Sequence, residues 1–316
     1  MLGLLRQQDV DPTTMFTGLG HAPQPLSAAE QVLPPPPTLD QALDCPEWLA
    51  PQLRADLGDD FGPIMALLQT RAAVFLRVNI ARTTLAQAQA ALSDEGIETR
   101  PVPLSPTALE VLSHPRRIQQ SAPYATGLVE LQDAASQAIS DAVPLAHGQR
   151  VLDLCAGGGG KTLALAARCP GARYFAHDID PGRMSDLPVR AQRACSEVTV
   201  LTPDTLGGVG AFDVVVVDAP CSGSGAWRRA PQGKWLLTPQ RLAALVEIQA
   251  QVLAQAADLV APGGVLAYMT CSLLSAENGA QVAEFLANRP GWRAQRMKTL
   301  TALDGGDGFF LAILAR

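Results

Sequence analysis

The 316-residue sequence predicts an α/β protein. The expected core is a doubly wound, mostly parallel seven-stranded sheet with a reversed last strand, and a small α/β module precedes it. Three observations carry this. From Gly127 onward, short apolar runs alternate with segments of helical period, the pattern of strand–helix–strand units. One of those runs, residues 151–154, leads into Gly157-Gly158-Gly159-Gly160 and Lys161, a strand, a tight turn and a helix start. The chain closes with two apolar-rich runs around a Gly-rich turn at 304–308, a hairpin that reverses the final strand.

The elements follow in order. Residues 1–40 read as an extended arm or linker, because Pro34-Pro35-Pro36-Pro37 is a stiff polyproline stretch; Phe16 and Leu19 are available to dock it. Residues 41–125 read as the small module. It has a helix over 47–57, a strand over 73–79 (AVFLRVN), an Ala- and Gln-rich helix over 84–95 stopped by Gly96, and a strand over 108–112. Arg71, Arg77, Arg82, Arg116 and Arg117 make it locally basic, as an RNA-binding unit would be. Residues 126–316 form the expected catalytic domain. Its strands fall at 128–131, 150–154, 174–177, 198–201, 214–217 and 265–269, and the hairpin strands at 292–297 and 309–314. Its helices fall at 132–143, from 161, at about 239–260 and at 276–288.

Composition excludes several classes. No apolar run reaches the roughly 18 residues of a membrane span, and the start is too short and too weakly basic for a signal peptide. Cytoplasmic residence with no membrane partner is expected. Six cysteines without a CxxC spacing and four scattered histidines fit neither a disulfide framework nor a metal site. Cys45, Cys169 and Cys195 read as small buried hydrophobes. The net charge of −6 gives no support to nucleic-acid binding, but phosphate contact depends on a local basic face rather than the total. A monomer is the default expectation.

The chemistry concentrates at strand ends, where open α/β sheets bind ligands. Asp218-Ala219-Pro220-Cys221 follows one apolar run and Thr270-Cys271-Ser272 another, so both thiols are expected at one rim. The loop Cys155-Ala156-Gly157-Gly158-Gly159-Gly160-Lys161 brings backbone close to a ligand. It is not a phosphate-binding Walker loop, because Cys155 stands where that pattern requires glycine. Asp178, ending the next strand, can hold ribose hydroxyls. A dinucleotide and S-adenosylmethionine both fit this far. Hydride transfer has no use for two strand-end thiols, whereas methyl transfer to carbon 5 of a pyrimidine does. A thiolate adding to carbon 6 makes carbon 5 nucleophilic, and a carboxylate at ring nitrogen 3 offsets the developing charge.

DLCAGGGGKT (153–162), DAPCSGSG (218–225) and TCSLLSAEN (270–278) together resemble the RNA cytosine-5 methyltransferases of the RsmB/Sun type. FLRVN (75–79), LVELQDAASQ (128–137), WRRAPQGKW (227–235) and GDGFF (306–310) extend the resemblance over about residues 45 to 316. It implies a class I, Rossmann-like methyltransferase fold acting on RNA, ribosomal RNA or a ribosomal subunit precursor. By that resemblance Cys271 attacks carbon 6, Cys221 assists product release, and Asp218 contacts the cytosine ring close to the methyl donor. Cys155 to Lys161 cradle S-adenosylmethionine, Asp178 takes its ribose, and Asp204 lies near its adenine. Target positioning falls to Arg77, Arg228, Arg229 and Lys234. Two departures matter. The family's AAPGGK loop has Gly157-Gly158 here in place of Ala-Pro, which predicts a slacker loop, and its ENE motif is Glu277-Asn278-Gly279. Three rival readings are a transfer-RNA methyltransferase, an RNA-binding assembly factor with a decayed site and a nicotinamide oxidoreductase.

Overall fold

The computed structural model describes residues 5, 10–32 and 37–316. Pro34, Pro35 and Pro36 of the expected polyproline stretch lie outside the described residues. The chain divides into a unit of residues 1–42 and a unit of residues 43–316. In the first, Asp11 caps a 3-10 turn at Pro12–Thr14, and Ser27 with Glu30 forms a capping box for the short helix Ala28–Gln31.

The second unit holds two sheets. The smaller contains β1 (Phe75–Val78), β2 (Thr99–Pro101), β3 (Ala108–Val111) and β4 (Val129–Leu131), all antiparallel, in the order β2-β3-β1-β4. β1 is apolar at every position but Arg77 and buried throughout. The helix Leu85–Asp94 packs Ala88 and Leu92 onto this sheet. Thr84 and Gln87 cap it reciprocally, and Gly96 just beyond its end has φ +73°. β4 corrects the sequence reading, which placed 128–131 in the larger domain. Asn79 draws it into the small sheet: its amide bonds the Leu128 carbonyl, and its side chain donates to the Gly127 and Ala194 carbonyls.

The larger sheet is built from β5 (Arg150–Asp153), β6 (Arg173–His177), β7 (Val198–Leu201), β8 (Phe212–Asp218), β9 (Val260–Thr270), β10 (Arg293–Leu300) and β11 (Phe309–Ala315). Their order is β10-β11-β9-β8-β5-β6-β7. β5 to β9 pair in parallel, while β11 runs antiparallel between β9 and β10. The crossovers are helical, as parallel neighbours require. The helices Ala134–Asp141 and Gly160–Arg168 support one apolar layer. The helix Pro239–Leu259, N-capped by Thr238, supports the other with Gly279–Asn288.

Two helices in front of the small sheet, Ala50–Leu57 and Phe61–Leu68, do not pack on it. Their apolar faces (Leu53, Ile64, Met65, Leu68) share a core with Trp227, Leu273 and Leu274. They therefore buttress the loops that follow both strand-end thiols. Among the described residues, no helix is long and apolar enough to cross a membrane.

Candidate active site

The parallel strands deliver their carboxyl ends to one rim. β8 ends at Asp218 and β9 at Thr270, and these strands are neighbours. The two segments stay tied beyond the strands, because Ala219 N–H bonds the Met269 carbonyl and Gly225 N–H bonds the Cys271 carbonyl, both at 2.9 Å. Gly308 N–H in turn bonds the Gly225 carbonyl at 2.9 Å. A Cβ at Gly225 would lie 2.3 Å from the Gly308 oxygen, so only glycine permits this approach. The two cysteine sulfurs come to 3.4 Å from each other.

One buried carboxylate joins the two thiol loops. Glu277 accepts from Ser222 N (2.8 Å), Ser222 Oγ (2.5 Å), Ser272 Oγ and Gln249 Nε2 (3.0 Å). Ser224 Oγ accepts from Leu273 N–H at 2.8 Å, a further tie between the loops. The Cys221 thiol is pushed well above the ordinary cysteine range, first by its hydrogen bond with Cys271, then by burial and nearby negative charge. Sequence reasoning missed Gln249, Ser222, Ser272 and the role of Glu277. The signal for Glu277 was present in the TCSLLSAEN run, but its partners lie on three separate segments.

β5 supplies the glycine loop. The sequence reading expected slack from Gly157-Gly158, and the structure corrects it, because the loop is held at successive residues. Ala156 N–H bonds the His177 carbonyl (2.9 Å), Gly157 N–H bonds Asp178 Oδ2 (3.0 Å), and Arg190 donates to the Gly158 carbonyl. Gly159 has φ +78°, and a Cβ there would meet Leu187 Cδ1 at 2.2 Å. A Cβ at Gly158 would meet Arg190 Nη1 at 2.8 Å, so that glycine makes room for the arginine clamp.

The acidic residues gather around this loop. Asp178, 1% exposed, ends up beside the loop at the carboxyl end of β6 and pairs with Arg183 at 3.2 Å. Arg183 is half exposed and free to yield to a hydroxyl-bearing ligand. Asp204 is exposed in the first turn of the helix Pro203–Leu206, just past β7. Asp218 is held by Lys161 Nζ at 2.6 Å. Burial works against the Lys161 ammonium, but Asp218 outweighs it and keeps the lysine above its usual value. Asp153, at the end of β5, accepts from Thr162 Oγ1 at 2.7 Å, while its buried Oδ1 has no partner. Burial raises its carboxyl to about 6. Burial, followed by Asp153, Asp178 and Asp218, raises the Cys155 thiol to about 12, so Cys155 is a neutral wall of the cradle.

This donor set fits S-adenosylmethionine. Three carboxylates, Asp153, Asp178 and Asp218, lie at the loop, one with an orphaned acceptor atom, and they suit an ammonium, a sulfonium and ribose hydroxyls. They oppose the two phosphates of a dinucleotide, since the loop's lysine is already neutralised by Asp218.

Of the four cations expected to contact RNA, Arg77, Arg228 and Lys234 are withdrawn into the fold, whereas Arg229 is exposed. Arg77 is 5% exposed, and its Nη1 donates to Gln132 Oε1 (2.5 Å) and the Gly160 carbonyl (2.7 Å). Arg228 pairs with Asp307 at 2.7 Å, and Arg229 pairs with Asp307 (2.5 Å) and Asp133 (2.7 Å). Lys234 is 1% exposed and paired with Asp44. Arg77, Arg228 and Lys234 are thus bonded to carboxylate, amide or carbonyl oxygens within the fold, and Arg229 is paired with carboxylates at the surface. Cys195, expected buried, is exposed in a left-handed helix cap, whereas Cys45 is buried. A cavity of about 470 Å³ lined by Arg173, Phe175 and Glu197 opens on the opposite, amino ends of β6 and β7, away from the thiols.

Comparison with known proteins places this arrangement. Residues 142–314 match the family described as 16S rRNA methyltransferase RsmB/F. Residues 45–119 match the ferredoxin-like domain of RsmF/B-like methyltransferases. A ribosomal RNA small subunit methyltransferase B from Klebsiella pneumoniae is 33% identical over 284 residues, covering 86% of this chain. The chain spans 66% of that relative's length. The crystal structure of PH0851 superposes with a TM-score of 0.84 at 27% identity, over 90% of this chain and 70% of that one. A methyltransferase homologue from Pyrococcus horikoshii shares the fold, with a TM-score of 0.76 at 21% identity over 88% of this chain and 97% of that one. With the family model covering the whole larger sheet and both thiol loops, the chain belongs to the RsmB/F methyltransferase family.

Proposed function

We propose that the chain is an S-adenosylmethionine-dependent RNA methyltransferase that methylates carbon 5 of a cytosine through a covalent adduct on Cys271. Ribosomal RNA, free or in a subunit precursor, is the substrate class, and the enzyme acts as a cytoplasmic monomer. The observation that carries this reading is the thiol pair, 3.4 Å apart, on the strands next to the glycine cradle. Membership of the family and the names of the relatives support the RNA substrate. With the loop pinned, the slack that motivated a decayed site is gone.

The residues divide the work as follows. The target cytosine must first leave its stack to reach the rim. The Cys271 thiolate bonds to carbon 6, and the electron pair of the ring double bond passes to carbon 5. Asp218, held in place by Lys161, shares a proton with ring nitrogen 3 and offsets the charge arriving there. Residues 155–161, Asp178 and Asp204 would hold S-adenosylmethionine, which would supply the methyl group. Cys221 then protonates the Cys271 sulfur as the carbon–sulfur bond breaks, and its thiolate takes the carbon-5 proton. The pair ends with one proton more than it began, and that proton passes to solvent.

The test is covalent trapping. Cys221→Ala, expressed in cells, is expected to accumulate an RNA-linked band on denaturing gels, and sequencing the attached RNA names the target. The band disappears in Cys221→Ala/Cys271→Ala, and Cys271→Ala alone loses methylation while retaining RNA binding. An active Cys271→Ala enzyme overturns the proposal.

A further inference from the structure

We propose that Glu277 is a positioning residue for the thiol pair, bridging the two thiol loops so that Cys221 is held against Cys271. The inference deepens the covalent reading above and rests on it for the release step.

Glu277 is fully buried, and no cation is among its hydrogen-bond partners. A buried charge is costly unless hydrogen bonds replace its water. Here the serine following each thiol, together with a glutamine from the helix Pro239–Leu259, provides them. Gln249 also donates to the carbonyl of Pro220, the residue before Cys221, at 2.9 Å. Cys221 is thus bracketed on both sides by groups bonded to one another. The carboxylate's own backbone is fixed by Tyr268, whose hydroxyl donates to the Glu277 carbonyl at 2.7 Å. Asn278 completes the tie: it accepts from Thr270 Oγ1 at 2.5 Å and donates to the Ser272 carbonyl at 2.8 Å.

Loops can be joined more cheaply by apolar packing than by a buried anion. What an anion adds is a field. The groups acting on Cys221 are Cys271, Glu277 and the Gly223 amide; all but the amide favour the protonated thiol. The Tyr268 hydroxyl also faces the pair, and burial keeps it neutral. On the other side, Lys161 feels both Asp218 and Cys271, and its ammonium is favoured by their negative charge. Cys221 keeps its proton at rest. The protonated Cys221 is then in place to return a proton to the departing sulfur.

Two substitutions separate charge from reach. Glu277→Gln keeps the length and removes the charge, whereas Glu277→Asp keeps the charge and shortens the bridge. The first readout needs no RNA: iodoacetamide labelling of each cysteine against pH, followed by peptide mass spectrometry. In the wild type, Cys221 labels only at pH well above the ordinary cysteine range. In Glu277→Gln the Cys221 profile moves down by about one pH unit. A folded Glu277→Gln protein with an unmoved Cys221 profile overturns the proposal. The second readout is single-turnover release of methylated RNA. Glu277→Asp is expected to leave the Cys221 profile in place and slow release by about 100-fold relative to adduct formation. Unchanged release in that variant also overturns the proposal, and it decides the matter if Glu277→Gln fails to fold. A shifted Cys221 profile in an enzyme that never forms an RNA adduct would sink the covalent reading and leave the positioning role standing.

Discussion

Asp153 shows how much one buried side chain can decide. Its carboxyl is raised by burial to about 6, so folding favours its protonated form. This contribution to stability is fully present below the ordinary aspartate value near 3.8 and is lost as pH rises through about 6. The loss amounts to roughly 3 kcal/mol. Asp153→Asn should flatten the stability profile between pH 4 and pH 6, as read by urea denaturation at a series of pH values. An unchanged slope would mean that another group carries that dependence. Gly159 makes the complementary point for backbone. Its φ of +78° and the contact with Leu187 predict that Gly159→Ala destabilises the fold by about 1–3 kcal/mol. Binding of S-adenosylmethionine, measured by calorimetry, should weaken with it.

At the level of elements, the arginines act as fasteners. Arg77 projects from β1 of the small sheet to the first turn of the helix Gly160–Arg168, so the small sheet and the cofactor loop share one fixed point. Arg77→Met should cost about 1–3 kcal/mol, because the Gly160 carbonyl and Gln132 lose a charged donor. Hydrogen exchange in residues 75–78 and 129–131 should quicken with it. Asp307 joins two arginines of the 227–235 segment to the turn before β11. Burial, and after it Asp133, raises the Asp307 carboxyl against the pull of Arg229. Asp307→Asn would strand the buried Arg228, a loss of about 3–5 kcal/mol that thermal unfolding would register. A variant as stable as the wild type would show that Arg228 finds another acceptor.

For the whole molecule, the net charge of −6 and the internal use of Arg77, Arg228 and Lys234 bear on how the proposed RNA substrate would be held. Affinity should fall as salt rises, because phosphate contacts release counterions. The slope of log affinity against log salt should not change in Arg77→Met or Lys234→Met, since neither cation is on the surface. A slope reduced by about 0.7–0.9 in either variant would return that residue to the phosphate contacts.

The sequence by itself determined the seven strands of the larger sheet, the glycine loop and the two strand-end thiols. Apolar runs and glycine placement are local signals, and the parallel alternation fixes which strand ends share a rim. The loop motifs also carried Asp178 and Asp218, which end their strands where expected. What only the tertiary structure decided depends on long-range pairing. β4 joins the small sheet because Asn79 and β1 capture it. The helices at 50–68 support the thiol loops because those loops expose Trp227 and Leu273 to them. The basic residues of WRRAPQGKW are spent on Asp307, Asp133 and Asp44, partners far away in sequence that no spacing reveals. The Glu277 bridge was invisible for the same reason. A carboxylate's charge is read from the sequence, but its burial and its donors come from chain segments that meet only on folding.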